Sequence, residues 1–62
     1  MENMKHKYNI GDIVRVKYCF EESIGIIIET DMWDMEPDYT ITICGIPNSK
    51  IRFLQLHIIG KV

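Results

Sequence analysis

The chain has 62 residues, 47% of them apolar, and a formal net charge of -2. That length allows one domain of marginal stability, since a chain of this size hides only about 60% of its unfolded surface. The composition is too apolar for disorder and lacks the basic excess of a general nucleic-acid binder; no run reaches the roughly 20 apolar residues of a membrane helix.

Met1 to Lys7 carries charges with no apolar stretch after them, so it does not read as a secretory signal. Two cysteines are too few for a disulfide-dense secreted module. The chain is therefore expected in the cytoplasm. Residues 1–9 read as a flexible polar segment and residues 10–62 as the folded domain. Asn9, Gly11 and Asp12 signal a turn. The first strand is expected over about Asp12 to Phe20, with Val14, Val16, Tyr18 and Phe20 on one face and Arg15, Lys17 and Cys19 on the other.

Glu21-Glu22-Ser23 reads as a short hairpin loop. A second strand follows from Ile24 to Thr30, apolar on both faces, and Gly25 within it suggests a bulge or a close approach of another backbone. Asp31 to Asp38 reads as a loop stopped by Pro37. Tyr39 to Cys44 alternates again, and Gly45 to Ser49 is a turn. A fourth strand runs over Lys50 to Leu54, Gln55-Leu56-His57 is a single helical turn, and Ile58-Ile59 a closing strand. Val14, Val16, Ile28, Ile41, Ile43 and Phe53 are the expected core. The pattern predicts an all-β fold of five short antiparallel strands that closes on itself, because closure removes exposed edges.

Gly11-Asp12-Ile13-Val14-Arg15-Val16, then Gly25-Ile26-Ile27-Ile28, Tyr39-Thr40-Ile41 and Leu54-Gln55-Leu56-His57-Ile58 resemble the SH3-like small barrels, the group of KOW and Tudor-like modules. The likeness covers about residues 10–60, and short proteins of this look are common among bacteriophage products. It implies a five-stranded barrel and no particular activity. The three-residue first loop departs from the long loop of proline-motif readers, and the basic surface of a KOW module is missing.

His6, Cys19, Cys44 and His57 are spread singly, without the paired spacing of a zinc site, so no metal is expected. The two cysteines should flank the second strand about two strand spacings apart, roughly 10 Å, beyond the roughly 7 Å limit for a disulfide. No Gly-x-Ser-x-Gly, P-loop or dinucleotide fingerprint is present, so neither catalysis nor a cofactor is expected.

Asp31-Met32-Trp33-Asp34-Met35-Glu36-Pro37 is the candidate site. Trp33 either plugs a barrel end or serves as an exposed anchor, as Trp and Met do at interfaces. Hairpin geometry brings Tyr8, Trp33, Tyr39, Leu54 and His57 to one end with Asp12, Asp31, Asp34 and Asp38. Phe20 falls at the other end, so no cage joining it to Trp33 is expected. The partner-binding set is thus Trp33, Met32, Met35, Tyr39, Tyr8, His57 and Asp34, suited to a protein with a basic or apolar patch. The chain reads as a non-enzymatic interaction or structural module, a phage accessory or virion-associated protein by its resemblance. The alternative is a nucleic-acid or ribonucleoprotein binder using Lys5, Lys7, Arg15, Lys17 and Arg52. A homodimer through an open strand edge is a further expectation.

Overall fold

A computed structural model describes residues 5–62. Strands β1 (Ile13–Tyr18), β2 (Glu21–Trp33), β3 (Glu36–Ile43), β4 (Ile51–Leu54) and β5 (Ile58–Lys61) form one antiparallel sheet, with a 3-10 turn over Gln55–His57 between β4 and β5. The spatial order is β4-β3-β2-β1-β5. The all-β class, the five antiparallel strands and the single helical turn are as the alternation predicts. The sheet does not close, because β4 and β5 are its two edges and share no ladder. Each edge strand is only four residues long, which limits exposed ladder groups by another route.

Both early hairpins turn where the sequence carries no glycine. Tyr18 pairs with Glu21 across Cys19 and Phe20, and Trp33 pairs with Glu36 across Asp34 and Met35. All four turn residues have positive φ, between 50° and 68°, as a two-residue type I′ turn requires. The first strand therefore stops at Tyr18, the expected loop at Glu21–Ser23 is strand, and Phe20 stands at the tip, 99% exposed. The expected loop over Asp31–Asp38 is likewise mostly paired strand. Pro37 fits there because it lies one residue beyond the β3–β4 ladder, where its missing N–H leaves no ladder bond unmade.

The core consists of Val14, Val16, Ile27, Tyr39, Ile41, Ile43, Phe53 and Ile58. Ile28, expected there, is only half-buried, and Ile27 takes its place. Pairing with the buried Ile41 turns Ile27 inward, and a bulge follows: Glu29 pairs with Thr40, so Ile28 is the extra residue. Without it Glu29 would oppose the buried Tyr39. With it Thr30 takes that place and Glu29 turns outward with Thr40.

The segment before β1 is tied to the sheet at several points, with residues 1–4 lying outside the described residues. The Tyr39 hydroxyl accepts the backbone N–H groups of Lys7 (3.1 Å) and Tyr8 (3.4 Å) and donates to Gln55 Oε1, which also accepts the Lys7 N–H (2.8 Å). Burial holds the Tyr39 phenol above its ordinary pKa, against these N–H donors. Asn9 N–H donates to Asp12 Oδ2 (2.8 Å), and Gly11 N–H to the Ile27 carbonyl (2.8 Å). Cys19 lies in the first turn and Cys44 beside Ile24, both exposed free thiols rather than a disulfide.

Two outcomes follow. A Cβ on Gly25 would overlap Ile41 Cγ2 and sit 3.0 Å from the Thr42 carbonyl oxygen. Gly25→Ala should therefore cost about 1–3 kcal/mol in urea unfolding, as overpacking does. The Asn9 N–H, and less strongly Lys61, hold the Asp12 carboxyl below its ordinary pKa, with burial opposing them. A lowered carboxylate contributes stability above its unfolded pKa of about 4, and that contribution is lost as pH falls through the lower folded value. Asp12→Asn should make the loss of stability between pH 5 and pH 2 shallower in denaturant titrations.

Candidate functional site

Strand alternation puts Glu36, Asp38 and Thr40 of β3 on the face away from the core, and register sets their neighbours. Trp33 opposes Glu36, Asp31 opposes Asp38, and Glu29 opposes Thr40. On the other side Leu54 flanks Asp38 and Arg52 flanks Thr40. Two carboxylates thus face each other directly across β2 and β3, which by itself destabilises a sheet.

Arg52 resolves this conflict. Its guanidinium donates to Asp38 Oδ2 and lies 3.9 Å from Asp31 Oδ2. Asp38 is only 3% exposed, so its carboxylate requires such a charge-assisted partner. Trp33 stands beside the same guanidinium, its ring centroid 5.6 Å away, within cation–π range. Trp33, Asp38, Arg52, Leu54 and His57 enclose an open cleft of about 310 Å³. A second, more polar hollow of about 500 Å³ lies past Arg52 between Glu29, Asp31 and Thr40.

The expected aromatic cluster is divided by the sheet. Trp33 is 59% exposed on the outer face, with His57 and Leu54 at its cleft. Tyr39 is fully buried on the opposite face of β3, where the rings of Tyr8 and His6 meet its edge at centroid distances of 5.7 and 5.1 Å. Tyr39 is therefore a core residue that holds the N-terminal segment, not a contact residue. Met32 opposes Pro37 and so takes the face away from Trp33, while Asp34 and Met35 project at the hairpin tip, Met35 almost bare.

The cations proposed for nucleic acid sit on separate elements. Arg15 and Lys17 alternate outward on β1, Arg52 is engaged by two acids on β4, and Lys7 borders a hollow beside Gln55 and Leu56. Lys5 is exposed ahead of the sheet. Among the described residues no three His, Cys, Asp or Glu side chains gather into a metal-holding group. No Ser, Thr or Cys lines the Trp33 cleft. What the cleft offers is an apolar shelf of indole and leucine edged by carboxylates, with its own cation already neutralised.

The role of Arg52 is what residue-by-residue reading missed. The signal lay in the repeated acids Asp31 and Asp38, but only the turn at Asp34-Met35 reveals that they are cross-strand partners. His6 was missed as well; its Nε2 reaches the Asp31 carbonyl at 2.6 Å. Comparison of the chain with family models, characterised proteins and solved structures gives no match.

Arg52→Met should strand the Asp38 carboxylate without its donor and opposite Asp31. The expected cost is about 1–3 kcal/mol in urea unfolding at pH 7. Asp38→Asn combined with Arg52→Met should recover part of that loss, because removing both charges leaves none buried alone.

Proposed function

We propose that this chain is a non-enzymatic protein-interaction module of the SH3-like small-barrel kind, which captures a partner presenting basic or apolar side chains at the Trp33 cleft. The carrying observation is a large indole left more than half exposed beside an arginine whose charge is already met by Asp31 and Asp38. Glu29, Asp34 and Glu36 add negative charge around it, so a cationic or apolar side chain suits the surface better than an anionic one. Trp is the residue type most enriched among interface hot spots. The strand order, with a 3-10 turn joining the two edge strands, supports the small-barrel reading. The separation of Arg15 and Lys17 from Arg52 favours a protein partner over nucleic acid. On the sequence resemblance alone, we read the role as that of a phage accessory or virion-associated protein acting in the host cytoplasm or the particle.

A peptide array graded in Lys and Arg content, probed with the native chain and with Trp33→Ala, tests this reading. Basic-apolar peptides should be retained by the native chain and lose about tenfold or more in affinity with the variant, as for other hot-spot truncations. The urea midpoint of the variant should move little. A stability loss of about 3–5 kcal/mol would instead make Trp33 a structural plug. Salt-dependent binding of DNA below about 1 μM, tighter than ordinary non-specific binding, would favour the nucleic-acid reading.

A further inference from the structure

The outer face of β1, β2 and β5 carries a surface that sequence reading left unassigned. Register aligns Ile13 with Ile26 and Ile26 with Thr42, and Val62, whose N–H donates to the Ile13 carbonyl, extends that row. The next row runs Gly60, Arg15, Ile24 and Cys44. Ile13, Ile24, Ile26 and Val62 are between 39% and 66% exposed, a connected apolar patch rather than scattered residues. Gly60 adds no side chain to it, so another surface can approach closely there.

Charge along this strip is mixed, with Arg15 and Lys17 beside Glu22 at one end and Glu29 and Asp31 beside Arg52 at the other. Arg15 lies beside Ile24 and Lys17 beside Glu22, on one side of Ile26. Glu29 and Asp31 lie on the other side of Ile26, on the same outer face, because the bulge turns Glu29 outward. The two cations are two residues apart along their strand, and so are the two acids, about 7 Å in each case. A two-fold axis near Ile26 would set Arg15 against Glu29 of a second copy, with the isoleucines facing each other in between. Such an isologous contact makes that pair twice.

We propose that the Ile13–Ile24–Ile26 face is a self-association surface on which a second copy of this chain docks by a two-fold axis. The contact is face to face and does not use the β5 edge, which is short, carries Lys61 and is broken in register between Arg15 and Val16. A contact with so few apolar anchors is expected to be weak, with a dissociation constant of roughly 10–500 μM. The proposal does not use Trp33, although Glu29 also contributes to the negative charge around that cleft.

Sedimentation equilibrium on the full chain, with unfolding monitored at low concentration to confirm each fold, supplies the test. Arg15→Glu and Glu29→Arg should each weaken the dimer by about tenfold or more, as charge pairs at an interface do, and the double variant should restore it. Ile26→Thr, which keeps a β-branched residue on the strand, should weaken the dimer similarly, and Trp33→Ala should leave it unchanged. A native chain that sediments as a monomer up to about 1 mM, beyond the expected range, overturns the proposal. So does a dimer indifferent to the single swaps, or a double swap that fails to restore association.

Discussion

Strand β2 is shared between two partners whose ladders overlap on it at Gly25 and Ile26. β1 pairs with Glu21 to Ile26, and β3 pairs from Gly25 to Trp33. The remaining structure depends on how that one strand changes partner. Gly25 has no Cβ, which leaves room for the Ile41 side chain at the crossing. Immediately after it the bulge at Ile28 changes which residues face inward. A regular strand would set Glu29 opposite Tyr39, on the core-facing side of β2. The inserted residue returns Glu29 to the outer face, and there it becomes part of the acidic region.

Adjacent residues of β3 then meet two opposite polar problems. Tyr39 faces the core, and its hydroxyl is satisfied by Gln55 and by backbone N–H groups of the N-terminal segment. Asp38 faces outward but is covered, and its charge is satisfied by Arg52 from β4. One contact anchors the entering chain and the other fixes the Trp33 surface. Both rely on the register between β3 and β4, in which Tyr39 pairs with Phe53 and Thr40 with Arg52. A single-residue slip would exchange the two faces and leave both groups without partners.

The two hairpin tips hold four non-glycine residues in the left-handed region, including the bulky Phe20 and Met35. Such conformations cost about 1–2 kcal/mol per residue, which is substantial for a domain this small. The same turns present Phe20 and Met35 outward, 99% and 77% exposed.

The alternation of Val14 with Val16 and of Tyr39, Ile41 and Ile43 was enough to establish an all-β chain, the inward faces of β1 and β3, and the helical turn before a last strand. These are local properties, because side-chain period and turn composition are written into neighbouring residues. The positions of the two hairpin turns flanking β2 were not legible, since Cys19-Phe20 and Asp34-Met35 carry no turn signature and Glu21-Glu22-Ser23 carries a false one. Nor was the choice of Ile27 over Ile28, because an isoleucine run is apolar in either phase and only pairing with Ile41 selects one. For the site, the sequence singled out Trp33 and its acids, while the separation of Trp33 from Tyr39 and the recruitment of Arg52 were decided by the tertiary structure. Those outcomes depend on which strands lie side by side, and contacts between residues 14 or more positions apart leave no trace in local pattern.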